Sequence, residues 1–244
     1  METTDRSTLV LGASGATGKE LVNQLVQRGQ HVKIIVRPIA NIPEAWKSNK
    51  SITIIEANIS EITVNEMANY IKGFESVASC LGHNLTLSGV FGKPRKLVTN
   101  AVELICNAIE NNASGDIIKL VLMNTTGNRN KDLNEMLSTG EKMVLGLVRL
   151  LVPPQSDNEN AADYLRLNIG QKNAAIQWVA VRPDSLINDS NVTEYEIHAS
   201  PTRSPVFNSG TTSRINVGHF MARLIVENDL WEKWKGKMPV IYNK

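Results

Sequence analysis

The 244-residue sequence has two cysteines, almost no excess of either charge and no apolar run long enough to cross a bilayer. Each scarcity excludes a class of protein. Cys80 lies in an apolar, strand-like run and Cys106 in a helical one. They read as small core residues in a reducing compartment, and a disulfide scaffold is excluded. The formal charge of +2, from 26 Lys and Arg against 24 Asp and Glu, provides no global field for nucleic acid. Residues 1–7 are polar, and the longest greasy run, Met143 to Val152, is interrupted by Gly146 and Arg149. No membrane insertion is expected, and the expected location is cytoplasmic. No His, Cys or carboxylate group has metal-ligand spacing, so no metal is expected, and no Gly-x-Ser-x-Gly elbow exists for a serine hydrolase. What is present, 42% hydrophobic and 20% charged residues, suits a globular chain with a large core, most simply one domain.

The stretch around which the chain is organised runs from Thr8 to Gly29. Leu9-Val10-Leu11 is apolar on both faces, as a central parallel strand is, and it stops at Gly12. Gly12 reaches backbone angles closed to other residues, Gly15 lets main-chain N–H groups approach an anion, and Gly18 lets the following helix pack close to the sheet. Leu21, Val22, Leu25 and Val26 recur at helical spacing, and Gly29 is a helix stop signal. A pyrophosphate fits over the helix start, at Gly12, Ser14, Gly15, Ala16, Thr17 and Gly18. The spacing is Gly-x-x-Gly-x-x-Gly, a variant of the dinucleotide fingerprint with Ala13 at its second glycine.

His31 to Val36 reads as the second strand, ending at Arg37-Pro38. At this point of a dinucleotide fold an acid would bind the adenine ribose hydroxyls, whereas an arginine suits a 2′-phosphate. Arg37 stands there, no Asp or Glu occurs between Glu20 and Glu44, and Ser14 offers a second phosphate contact. NADP(H) is therefore preferred over NAD(H), the plainer alternative being a solvated arginine at a strand end.

Ile52 to Glu56 is a third strand, with Asn58 beyond it where an adenine would lie, and residues 60–72 suggest a short helix. Val77 to Leu81 is a fourth strand, ending in Leu81-Gly82-His83-Asn84. Gly82 lets backbone pass close to a cofactor, and His83 is a candidate acid or phosphate contact, or simply a loop residue. A structural helix follows over 95–111, then a buried strand from Ile117 to Met123 with Asn124-Thr125-Thr126-Gly127 at its exit. Lys131 to Val152 reads as helix in at least two pieces, stopped by Pro153-Pro154. Its apolar excess suits a lid, a substrate wall or a subunit contact. Asp157 or Asn158 is expected to cap the next helix, which carries Tyr164 and Asn168 on one face. A sixth strand from Ile176 leads into Arg182-Pro183, a short strand is possible at 193–197, and a last helix and strand close the chain.

Strands and helices alternate throughout, which gives an α/β class: a single-domain, Rossmann-like, doubly wound parallel sheet of about seven strands. Its first strand is central, and substrate-side segments are expected near 129–158 and 184–212. With these residues laid out, the chain resembles the atypical short-chain dehydrogenase/reductase group, the NAD(P)H-binding or NmrA-like proteins. The resemblance rests on Gly12 to Gly18, Arg37, Leu81-Gly82, Thr125, Val181-Arg182-Pro183 and the block from Ser213 to Arg223. Within the group, Asp163 to Arg166, Trp178 to Pro183 and Gly218 to Met221 look most like the NADPH-dependent flavin and biliverdin-IX-beta reductases. That resemblance implies a cradle for the pyrophosphate at Gly12 to Gly18, ribose contacts at Leu81 and Gly82, and a nicotinamide amide held by backbone near Pro183. It also implies that Thr125 stands beside the nicotinamide. The region 129–158 is longer than in those compact reductases.

Classical short-chain dehydrogenases use Tyr-x-x-x-Lys, in which the lysine lowers the tyrosine pKa. Here Tyr70 is followed by Phe74, Tyr164 by Asn168 and Tyr195 by Ala199, so the pair is absent. Tyr164 lies where the family tyrosine would fall, but without lysine its phenol is expected to stay near a pKa of about 10. A planar acceptor that takes hydride readily, such as a flavin or quinone, then suits the chain better than an ordinary alcohol. The expected partner is this small-molecule acceptor, taken by a monomer or homodimer. The other reading is a non-catalytic, NADP-binding redox sensor of the NmrA-like type.

Overall fold

The computed structural model describes residues 6–83, 94–112, 115–133, 135 and 138–244. β1 (Ser7–Leu11) is fully buried, and its pleat splits the core in two: Leu9 and Leu11 face one cluster, Val10 the other. The first cluster is closed by α3 (Val64–Ile71), α4 (Leu97–Asn112) and α6 (Pro153–Tyr164). The second is closed by α1 (Ala16–Gln27), α2 (Glu44–Lys47), α7 (Arg214–Val226) and α8 (Asn228–Trp234).

Between these layers lies a sheet of eight strands among the described residues. Its members are β1, β2 (His31–Val36), β3 (Ile52–Glu56), β4 (Ser76–Ser79), β5 (Ile118–Met123), β6 (Ile176–Pro183), β8 (Tyr195–His198) and β10 (Val240–Asn243). Their order is β3-β2-β1-β4-β5-β6-β10-β8. The order reverses at β1, so the crevice above the β1 and β4 ends is the place where such sheets bind ligands. Every pairing is parallel except that of β10 with β8. The sheet is thus mixed and one strand wider than expected, because β8 returns by a reversed connection and covers the β10 edge. A separate parallel pair joins β7 (Ser185–Ile187) to β9 (Thr211–Ser213).

Local chemistry sets several helix ends. Thr63 and Glu66 form a capping box on α3, which therefore begins at Val64, four residues later than the expected start at residue 60. Ser138 and Glu141 do the same for α5 (Thr139–Leu151). Proline stops α5 as expected, but Pro153 also opens α6 at its first position, where its missing N–H costs nothing. The expected cap of α6 at Asp157 or Asn158 is therefore corrected: both lie inside the helix. A π-helical turn, Leu165–Ile169, follows α6 and ends at Gly170 with φ of +67°. No helix among the described residues is long and apolar enough to cross a membrane.

Candidate functional site

The turn after β1 is built by close backbone approach. Gly12 has φ of +73°, and a Cβ on it would lie 2.6 Å from the Cys80 carbonyl at the end of β4. A Cβ on Gly18 would meet the Gly12 oxygen at 2.1 Å. These two glycines are therefore demanded by packing. Gly15 differs: it is exposed, and its N–H closes the turn on the Gly12 carbonyl at 3.0 Å. α1 begins just beyond, without a side-chain cap and without an acid in its first turn. Its positive end is left available to an anion, as a pyrophosphate cradle requires.

A cleft of about 430 Å³ opens above this turn. Eight predicted residues meet in its wall: Gly12, Ser14, Gly15, Arg37, Asn58, Leu81, Gly82 and His83. No Asp or Glu lines it among the described residues, so Arg37, exposed at the end of β2, has no acid beside it in this wall. Asn58 spends its side chain locally, accepting the Ser60 N–H and donating to Glu61. Ala16 is exposed outside the lining set, while Thr17 and Gly18 are buried beneath the turn. Asn84 lies outside the described residues.

His83 has a structural commitment that its sequence position did not reveal. Its Nε2 lies 2.8 Å from Oδ2 of Asp157, and both side chains are almost fully buried. The same carboxylate accepts the N–H groups of Val98 at 2.8 Å and Thr99 at 2.9 Å and the Thr99 hydroxyl at 2.6 Å. Asp157 thus caps α4 from a neighbouring helix. This ring nitrogen of His83 is thus held by the cap, while His83 forms cleft wall beside Leu97.

Beyond β5 and β6 lies a second cavity of about 470 Å³, lined by Thr126, by Glu141 and Leu145 of α5, and by residues 200–205. α5 is therefore a wall on one side, while Met143, Leu147 and Leu151 face outward. The Thr126 hydroxyl donates to Asp184, which also accepts the N–H groups of Ser185 and Gly210. Burial pushes the Asp184 carboxyl up, against these hydrogen bonds and the nearby Arg203 charge. Thr125, one residue earlier, lines neither cavity, and its hydroxyl accepts the Gly127 N–H at 3.2 Å. The Pro183 carbonyl accepts the Thr126 N–H at 3.0 Å, which ties that stretch of backbone into the β5 exit.

Arg182 is the residue that sequence reasoning missed. It is 0% exposed, and all five of its N–H donors are used: two on Glu135 and one each on the carbonyls of Met238, Asn128 and Ala199. An arginine inside an otherwise apolar strand was the available signal, since such a charge is buried only when paired. It fastens the segments after β5 and β8 to the sheet.

Tyr164 is not among the described lining residues of either cavity. It packs half-buried on the flank of α4, where burial first, and then Cys106, Glu103 and Glu110, push its phenol above the ordinary value. The expectation of an unshifted phenol is therefore corrected. α6 runs past α4 so that Asp157 meets its start and Tyr164 its later turns. Among the described residues no His, Cys, Asp or Glu group could hold a metal ion.

The sequence model described as NAD(P)H-binding matches residues 12–228. An uncharacterised chloroplast protein of Arabidopsis thaliana is 38% identical over 56 residues, which are 23% of this chain and 20% of that protein. The chain thus spans about a fifth of the length of that curated relative. A short-chain dehydrogenase/reductase of Veillonella parvula, solved in complex with NADP, has a TM-score of 0.70 at 16% identity, covering 98% of this chain and 94% of that one. A candidate NADH-flavin reductase of Streptococcus pneumoniae has a TM-score of 0.64 at 18% identity, covering 98% and 100%. At these identities the likeness is one of fold.

Proposed function

The chain belongs to the NAD(P)H-binding family, and from that premise we propose that it is an NADPH-dependent oxidoreductase reducing a planar, easily reduced acceptor such as a flavin or a quinone. The observation that carries the reading is the cleft that joins the glycine turn to Arg37 with no acid among its described lining residues. In this assignment the open end of α1 and the Gly15 backbone hold the pyrophosphate, Arg37 and Ser14 hold the 2′-phosphate, and Leu81 and Gly82 border the ribose. When bound, NADPH supplies a hydride, that is two electrons and one proton, and solvent supplies the second proton that completes the reduced acceptor. The protein's share is to orient and to exclude water. Neither cavity has a tyrosine among its described lining residues, which supports an acceptor that needs no activated acid.

Arg37→Ala tests the cofactor assignment. A charge-assisted contact contributes about 1.5 to 3 kcal/mol, hence roughly tenfold or more in affinity. Calorimetry on the wild type is expected to show NADPH binding at least about tenfold tighter than NADH, and the variant to lose most of that difference. Equal affinities in the wild type refute the assignment. Mixing the protein with NADPH and a panel of flavins and quinones, and following cofactor absorbance, tests turnover. Tight NADPH binding with no turnover on any acceptor refutes the reductase and moves the protein to the redox-sensing regulators.

A further inference from the structure

Resting on that reading, we propose that the second cavity is the acceptor pocket, and that the acceptor it takes carries an anionic group, a carboxylate or phosphate, bound by Arg129 and Arg203. The cavity has a volume within the usual range for small-molecule sites. It opens past the C-terminal ends of β5 and β6, next in sheet order to the β1 and β4 ends that border the first cleft. An acceptor there continues the line of a cofactor laid along the same edge.

Among the described residues four charged side chains line the cavity, and they divide cleanly. Glu135 is gripped on both oxygens by Arg182 and also accepts the Asn130 N–H. Glu141 closes the capping box on Ser138, and hydrogen bonds from Ser204 and Ser138 hold its carboxyl below the usual range. Both acids are therefore occupied. The two arginines are not. Nε of Arg129 is buried with no hydrogen-bond partner, and a buried donor left unpaired is costly unless something arrives to accept from it. Arg203 is exposed and makes no ion pair with a described carboxylate. The acid nearest in influence, Asp184, already takes three hydrogen bonds from Thr126, Ser185 and Gly210. Two guanidinium forks in no ion pair with a described carboxylate, in a wall that also carries Ser200, Thr202 and Ser204, form a receptor for a multi-oxygen anion.

The test is equilibrium binding to the full-length protein saturated with NADP⁺, using matched pairs with the same ring. Flavin mononucleotide against riboflavin reads a phosphate; anthraquinone-2-carboxylate against 2-hydroxymethylanthraquinone reads a carboxylate. The anionic member of at least one pair is expected to bind about tenfold tighter or more, and the pair that shows it identifies the anion. In Arg129→Met and in Arg203→Met that ratio falls toward one. Arg203 is exposed, so its variant keeps the test in hand if Arg129→Met lowers the melting temperature. Equal affinities within both pairs overturn the proposal, as does a preference that survives both substitutions. Because the measurement needs no turnover, an anion preference without NADPH oxidation overturns the reductase reading alone, and NADPH oxidation without the preference overturns the anion site alone.

Discussion

At Gly12, Gly15 and Gly18 one residue type serves two different ends, and the distances separate them. Gly18 is a packing glycine: its added Cβ would sit 2.1 Å from a main-chain oxygen that has nowhere to move. Gly18→Ala is therefore expected to lower stability by about 1 to 3 kcal/mol, read by urea unfolding. Gly15 is exposed, with its nearest obstacle to a Cβ at 3.2 Å. Gly15→Asp is expected to keep the fold and to lose NADPH binding, because it sets bulk and negative charge against the phosphates. A folded Gly15→Asp protein that still bound NADPH in calorimetry like the wild type would remove the pyrophosphate from this turn.

Among the elements, α4 and β8 each depend on a residue far away in the chain. The start of α4 has its N–H groups taken by Asp157, 59 and 58 residues distant from Val98 and Thr99. Asp157→Ala leaves those donors and His83 without the carboxylate and is expected to cost about 2 kcal/mol, with a loss of NADPH affinity because His83 and Leu97 are cleft wall. Unchanged unfolding midpoints would show that the cap is dispensable. The edge strand β8 is tied to α7 by the Tyr195 hydroxyl, 2.7 Å from Nδ1 of His219. Arg223, which is itself paired with Glu227, donates to that hydroxyl at 3.4 Å, so the hydroxyl proton points to a neutral imidazole. Burial, then Arg28 and Arg223, lower the His219 pKa from its ordinary 6.5. The folded ring binds a proton less readily than the unfolded one, so this contribution is complete above pH 6.5 and is lost as pH falls from 6.5 through the folded value. Replacing His219 by Phe is expected to flatten the acid side of the stability profile, and a slope identical to wild type would assign the pH dependence elsewhere.

For the molecule as a whole, the cleft is made of segments from four strand ends and the start of α4, so ligand binding and folding are coupled. At a hundredfold excess over Kd, NADPH is expected to add about 2.7 kcal/mol to the native state, and so to raise the melting temperature of a chain of this size by roughly 5 to 10 °C. NADH at the same concentration is expected to raise it by less, and Gly15→Asp to show no shift with either cofactor. Two cysteines complete the picture at this scale. Both are free and buried, and burial pushes the Cys80 thiol up to about 12, so neither is an accessible thiolate in the folded state.

The sequence by itself determined the alternation of strands and helices, the glycine turn after β1, and the placing of Arg37 at the end of β2. Each of these is written in residues close together in the chain, as a period of two, a period of 3.6 or a fixed glycine spacing, and short-range patterns survive folding because they are its cause. The same logic gave the cleft wall: Ser14, Asn58, Leu81 and Gly82 lie just past strand ends, and a parallel sheet sends all those ends to one edge. Only the tertiary structure decided what the long-range pairs do. Asp157 has the look of a local helix cap and serves another helix. Tyr164 stands at the expected position in the chain, and the packing of α6 along α4 is what half-buries its phenol. Arg182 reads as a strand residue and proves to be the fully paired cation that fastens two distant segments. The antiparallel return of β8, and the two unpaired guanidinium groups of the second cavity, likewise depend on which segments meet in space. No residue carries a mark of its distant partner, since the free energy of such a pair is set by burial and geometry that exist only after the chain has closed on itself.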